Sequence, residues 1–242
     1  MIGPVVLHGG GEFLPGDEPF LLAILGMAPR VDGLVRVAVV PTAAARGRPD
    51  LAAANGVSAF QRVADDAGIP VVIDAVPVVD AASAADPSHA DRLDRATLIY
   101  LPGGDPDIIP TIYPGAAAWA AIQRAHAGGA VLGGASAGAM ALAAWTWTRD
   151  GGMQALGIVP HVGVAPHADA ASWQGVVARY GAAVPPDLDF IGLAERTAVI
   201  VPPAAVEPWP VVGEGEVRWL TAAARAAGAA PVVVRSGDRL VR

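Results

Sequence analysis

At 242 residues, 53% hydrophobic and 16% charged, the chain carries ample apolar material for the core of one large domain. Its net charge of −7 and pI near 5.1 exclude nucleic acid as a main partner, because phosphate binding needs clustered cations. Cysteine and lysine are both absent, which excludes disulfides, thiolate chemistry, cysteine-ligated metals and any lysine Schiff base or Ser-Lys dyad.

Short apolar runs alternate with longer helical stretches, the pattern of an α/β fold with a mostly parallel sheet sandwiched between helices. The first residues have no basic segment and reach Gly9-Gly10-Gly11 almost at once, unlike a secretory signal. A strand is expected over 5–8, a helix over 20–27, a strand over 36–40 stopped by Pro41, and a helix over 51–67. A third strand follows over 71–78. A helical stretch over 81–93 is broken at Asp86-Pro87. The fourth strand, 97–101, runs into Pro102-Gly103-Gly104-Asp105-Pro106, and helix continues to about 127.

Residues 127–148 carry no charge and have the length of a membrane span. Their five glycines and their place among alternating strands and helices point instead to a buried strand, a turn and a helix over 137–144. From 162 onward the runs shorten and Pro/Gly punctuation thickens: 190–193, 198–201, 210–212, 217–220 and 232–234. These predict short antiparallel strands or edge hairpins, with one helix near 172–183 and helix and turn over 222–230. No repeat or linker interrupts the chain. The expectation is a single domain over 1–242, soluble and cytoplasmic, with no membrane partner.

Gly134-Ala135-Ser136-Ala137-Gly138 has the G-x-S-x-G form of a nucleophile elbow, in which a serine rides a sharp turn from strand to helix with backbone N–H groups nearby. Small residues are needed because the two backbones approach closely. In a chain this rich in glycine and alanine, a helix-packing segment is the plain alternative, and context must decide.

A serine nucleophile needs a base in hydrogen-bond reach and a third group to orient it. Five histidines are available. His89 lies in a polar stretch and is expected to be exposed; His126 is expected to cap a helix C-terminus. His8 closes the first strand, where it could line the cleft. His161 follows Pro160 in a loop, and His167 ends a short strand, the place where functional groups of open α/β sheets collect, so His167 is favoured. In the order Ser…acid…His the intervening acid is Asp150, as in an esterase-like α/β-hydrolase. In the order Ser…His…acid it is Glu195, which interrupts an apolar strand pair; its plain alternative is an ion pair with Arg196 or another surface arginine.

Gly9-Gly10-Gly11-Glu12, Leu101-Pro102-Gly103-Gly104-Asp105, the Ser136 elbow, Pro166-His167 and Gly192-Leu193-Ala194-Glu195-Arg196-Thr197-Ala198 occur in that order. Together they resemble the aspartyl dipeptidase (peptidase E) and cyanophycinase family of serine peptidases, over about residues 5–217. The resemblance implies the class I glutamine amidotransferase-like fold with its flavodoxin-like core. It also implies a triad of Ser136, His167 and Glu195, an oxyanion hole from the N–H groups of Ala137 and Gly104, a homodimer, and no metal or cofactor.

Departures from the family pattern bear on substrate. Relatives often carry arginines soon after the histidine, where they can bind an acidic side chain; here the first is Arg179. Asp105-Pro106 stands where cyanophycinases tend to carry glutamine, and Ala194 replaces the usual acid. Gly103, Asp105 and Trp173 are therefore the expected substrate-binding residues, with Trp173 suggesting a larger, less polar subsite or simply packing. The reading is a serine hydrolase acting on a small peptide or amide with a rewritten pocket. The alternative is a non-catalytic member that binds a small metabolite or a protein partner in the old cleft.

Overall fold

The computed structural model describes residues 1–241. The strands are β1 (Val5–His8), β2 (Val35–Val39), β3 (Val71–Ala75), β4 (Leu98–Leu101), β5 (Val131–Ala135), β6 (Trp145–Thr148), β7 (Gly151–Gln154), β8 (Val162–Ala165), β9 (Asp189–Leu193), β10 (Thr197–Val201), β11 (Trp209–Gly213), β12 (Glu216–Leu220), β13 (Val232–Arg235) and β14 (Arg239–Leu240). The helices are α1 (Glu18–Met27), α2 (Pro49–Ala67), α3 (Ala81–Ala85), α4 (Pro87–Asp94), α5 (Ile108–Ile112), α6 (Ala117–Ala127), α7 (Ala137–Leu142), α8 (Trp173–Val176) and α9 (Ala222–Ala226). No helix among the described residues is long and apolar enough to cross a membrane.

The main sheet has eight strands in the order β14-β11-β10-β1-β5-β4-β2-β3. Its β1-β5-β4-β2-β3 half is parallel, and β10, β11 and β14 extend it antiparallel, as the C-terminal pattern predicts. The parallel strands are apolar on both faces because helices cover both. Val6, Val37, Val39, Leu98, Tyr100 and Val131 meet α1 and α2 on one side. Val5, Leu7, Ile99, Leu101 and Leu132 face the core of α4, α6 and α7 on the other.

Helix α2 illustrates how the sequence dictates an element. Pro49 opens it, Gly68 closes it at φ +62, and Ala53, Gly56, Ala59, Phe60, Val63 and Ala64 recur at helical spacing on its buried face. Phe60 packs edge-on against Tyr100 at 5.6 Å, a burial that contributes about 1.5–3 kcal/mol.

The strands expected over 190–193, 217–220 and 232–234 join a second sheet, β13-β12-β9-β8-β6-β7, in which β6 and β7 are the main departure from the predicted elements. The helix expected over 137–144 stops at Leu142, and Trp145–Thr148 leaves it as a strand that turns back through β7. Alternating tryptophan and threonine favours a pleated, half-buried surface over a helix. The helix expected over 172–183 is one α-helical turn followed by a π turn over Val177–Gly181. The long helix before 127 divides into α5 and α6 around Tyr113-Pro114-Gly115. Within the second sheet β8 and β9 run parallel, so the loops after them open at the same end.

Candidate active site

Ser136 sits between β5 and α7 with φ +49 and ψ −115, a conformation costing on the order of 1–3 kcal/mol that only surrounding packing can hold. Its N–H donates to the His8 carbonyl at 2.9 Å, tying the turn to β1. The flanking glycines are steric requirements. A Cβ on Gly134 would stand 2.5 Å from the Gly138 carbonyl carbon, and one on Gly138 would stand 2.0 Å from the Leu101 oxygen. The elbow is therefore real, and the helix-packing alternative does not describe this segment.

His167 follows β8 in the left-handed region at φ +54, and its N–H donates to the Gly9 carbonyl at 2.8 Å. Glu195 follows β9, and the next residue, Arg196 (φ +51), donates its N–H to the Gly10 carbonyl at 2.8 Å. The triple glycine after β1 thus clamps both loops. Ser136 Oγ lies 3.1 Å from His167 Nε2, and His167 Nδ1 lies 2.8 Å from Glu195 Oε1.

Glu195 is not buried between strands as its apolar neighbours suggest. It lies in the turn joining β9 to β10, and the side chains of His167 and Glu195 are 48% and 45% exposed. Two strands that belong to different sheets part there, which opens the turn to solvent. Its partner is His167, whereas Arg196 pairs with Glu214 at 3.4 Å.

The other histidines fall elsewhere. His8 is fully buried and does not line the cleft: its ring stacks on Phe20 at 4.3 Å, and Nε2 stands 3.0 Å from Asp17 Oδ1. That contact does not have hydrogen-bond geometry. His161 precedes β8, at the opposite end from His167, and is exposed. His89 is half-buried rather than exposed, with Nδ1 2.9 Å from the Ser83 carbonyl. His126 is buried on α6 and turns to the Ala130 carbonyl at 3.1 Å instead of capping its helix; burial lowers its pKa. Asp150 lies exposed in the β6–β7 turn.

Around the relay, Gly103 abuts the nucleophile: a Cβ there would stand 3.0 Å from Ser136 Cβ. Its N–H donates to Glu12 Oε1 at 2.8 Å. Glu12 belongs to the first glycine motif but carries no expected role, and only the 91-residue contact reveals it. Gly104 adopts φ +155 against the Ala43 carbonyl. Ala137 precedes the first helical bond of α7, from Met140 N–H to Ser136 O, so its N–H has no partner within the helix.

Asp105 turns towards Arg46, 3.9 Å away, and Arg46 is held by Asp107. That guanidinium keeps the Asp107 carboxyl below its ordinary pKa. Trp173 is half-buried, stacked on Phe190 at 5.8 Å and lying over Gly192, with the Arg218 guanidinium beside its ring. Arg179 stacks on Trp147 at 4.7 Å, away from the His167 turn. A cleft of about 450 Å³ beside the His167 and Glu195 turns is lined by Asp169, Ala194, Glu214, Glu216 and Arg235. Among the described residues no three His, Asp or Glu side chains are grouped to hold a metal ion.

Similarity to known proteins follows the same lines. The crystal structure of a peptidase from an acI-B1 Actinobacterium is 25% identical, with a TM-score of 0.81 over 100% of this chain and 98% of that one. A putative peptidase E protein from Listeria monocytogenes EGD-e shares the fold at 15% identity, with a TM-score of 0.58 over 89% of this chain and 99% of that one. No curated protein matches the chain. The family model for peptidase family S51 matches residues 6–206, a span that takes in the Ser136 elbow and the His167 and Glu195 turns. The chain belongs to peptidase family S51, the peptidase E family, and is a serine peptidase.

Proposed function

We propose that the chain cleaves a small peptide or amide bond, in dipeptidase fashion, through a Ser136–His167–Glu195 triad and an acyl-enzyme. The observation that carries this reading is the continuous relay from Ser136 Oγ to His167 Nε2 and from His167 Nδ1 to Glu195. His167 takes the Ser136 proton as Oγ attacks the carbonyl carbon, and returns it to the leaving amine. Water then attacks the ester by the same route in reverse. Glu195 holds the Nδ1–H tautomer and stabilises the imidazolium, as the carboxylate of such triads does. The N–H groups of Ala137 and Gly104 receive the oxyanion, each worth on the order of 10²–10³ in rate.

The segment after His167 supports a pocket unlike that of Asp-specific relatives, because it carries no arginine before Arg179, and Arg179 stacks on Trp147. Asp105 and Trp173 border the substrate in this reading, and the family resemblance makes a homodimer the working oligomer. A non-catalytic binding role would be favoured by a broken relay, and the 2.8 Å contact between His167 and Glu195 speaks against it.

The test is hydrolysis of a dipeptide panel by wild type and Ser136→Ala in parallel. The panel spans Asp-X, β-Asp-Arg, Glu-X and neutral or aromatic amino-terminal residues. Turnover lost in Ser136→Ala, fastest for non-acidic residues, is the expected result. Activity undiminished in Ser136→Ala refutes the mechanism, and a preference for Asp-X refutes the pocket argument.

A further inference from the structure

Arg218, on β12, is the one buried arginine among the described residues, at 6% exposed, and the relay does not use it. β12 pairs with β9, where Arg218 stands opposite Gly192, and β9 pairs with β8, which runs on through Pro166 to His167. β12 and β8 therefore lie two strand spacings apart, about 10 Å. Residues directly opposite in an antiparallel pair share a face. Gly192 puts no side chain on that face, so Arg218 crosses β9 and donates from its guanidinium to the Ala168 carbonyl at 3.0 Å. Glu216, two residues back and on the same face, takes the other end of the guanidinium. The Trp173 ring lies over Gly192, its centroid 5.8 Å from the guanidinium carbon.

These contacts bear on both turns of the triad. Ala168 is fully buried, and its N–H donates to the carbonyl of Leu193, two residues before Glu195, at 2.8 Å. Arg218 supplies the donor for its carbonyl. The turn after β8 is thus fastened to β9 and β12 through the residue next to His167. His167 itself is at φ +54, a conformation that surrounding contacts must hold. Burying a charge is costly, and an ion pair of this kind is often no more stabilising than an apolar pair of the same volume. An apolar pair, however, cannot donate to the Ala168 carbonyl. We infer that Arg218 is a positioning residue for the reaction: through that carbonyl it holds the His167 imidazole in line between Ser136 and Glu195. The inference rests on the triad reading of the site.

The test separates stability from catalysis. Arg218→Met leaves the Glu216 carboxylate with only the exposed Arg235, 3.8 Å away, and should destabilise the protein. Combined with Glu216→Leu it removes both charges, so urea unfolding should return close to wild type while the Ala168 carbonyl still lacks its donor. Ser136 labelling by a fluorophosphonate is read as a binding constant and a maximal rate. In the double variant the maximal rate should fall about ten- to a hundredfold, the cost of displacing a catalytic group by up to about 1 Å, with the binding constant unchanged. Arg218→Gln, whose shorter side chain can meet Glu216 but not cross β9, should slow labelling likewise. Arg92 is the control: it bonds Asp74 and the Ala75 carbonyl three strands from β5, so Arg92→Met should lower stability and leave the maximal rate alone.

Wild-type labelling rates in the double variant or in Arg218→Gln would overturn the inference and leave the arginine a structural strut. A loss in Arg92→Met equal to theirs would do the same, since labelling would then follow stability. Glu195→Gln, labelled in parallel, keeps the two readings apart. If it labels at the wild-type rate, the triad falls and the inference with it. If it is slow while the Arg218 variants are not, Arg218 alone loses its role.

Discussion

Replacing Gly10 by alanine perturbs the site without replacing any group that does chemistry. The added Cβ would stand 2.3 Å from His167 Cε1, 2.8 Å from Nε2 and 2.9 Å from Nδ1. Comfortable carbon contacts lie at about 3.5–4.0 Å, so the imidazole must retreat by roughly 1 Å or more. A misplacement of that size costs about 10²-fold in rate. Alanine at φ +107 also strains the backbone by on the order of 1–3 kcal/mol, and each kcal/mol lowers Tm by about 2–4 °C in a chain of this size. Gly33→Ala is the control: at φ +78 with nothing within 4 Å, it carries backbone strain and no clash. The assay is the rate of Ser136 labelling by a fluorophosphonate, which needs no knowledge of the substrate. Gly10→Ala should label at least about 10²-fold more slowly, Gly33→Ala at the wild-type rate, with both melting earlier. A folded Gly10→Ala that labels normally, or an equal loss in Gly33→Ala, would refute the account of how His167 is held.

Glu195→Gln should slow the same labelling by about 10²–10⁴-fold, because the wrong imidazole tautomer faces Ser136, whereas Asp150→Asn in its exposed turn should not; the reverse pattern would restore the esterase-like order. Thr42 Oγ1 donates to the Val78 carbonyl at 2.7 Å and accepts the fully buried Tyr113 hydroxyl at 2.8 Å. Thr42→Val strands both partners and should cost about 1–3 kcal/mol in urea unfolding, more than Tyr113→Phe; wild-type stability would count against the network. Burial, partly opposed by the Ala130 carbonyl, holds the His126 pKa below the ordinary histidine value. The unfolded chain therefore binds more protons below about pH 6.5, and stability falls as pH drops through that value. His126→Gln should flatten this dependence between pH 5 and 7.5; unfolding free energies with the same slope in both proteins would rule the residue out.

Peptidase family S51 was within reach of the sequence because its marks are local. Strands buried on both faces show as continuous apolar runs, which is why 5–8, 36–40 and 97–101 fall within a residue of β1, β2 and β4. The elbow is legible for a comparable reason: Gly134 and Gly138 answer a clash that arises within five residues. Sequence alone left His167 against His161 and Glu195 against Asp150 as alternatives. Their choice depends on which strand ends meet, and a residue's chemical type says nothing about that. The parallel pairing of β8 with β9 carries His167 and Glu195 to one end, and the Gly9 and Gly10 carbonyls draw both turns onto Ser136.

Strands β6 and β7 of the second sheet were hidden because alanine-rich segments carry no period to separate a short helix from the strand after it. α7 ends at Leu142, where the chain turns into β6 to pair with β8. His8 looked like a cleft residue and is buried, since Phe20 and Asp17 close over it. Glu12 faces the nucleophile only because β1 and β4 flank β5 in the sheet, which brings their C-terminal loops together over Ser136. The sequence by itself determined which residues could do chemistry and which segments had to be buried, because those properties belong to side chains and short stretches. Tertiary structure decided which of them meet, because long-range contacts are set by strand order and register, and no local pattern encodes either.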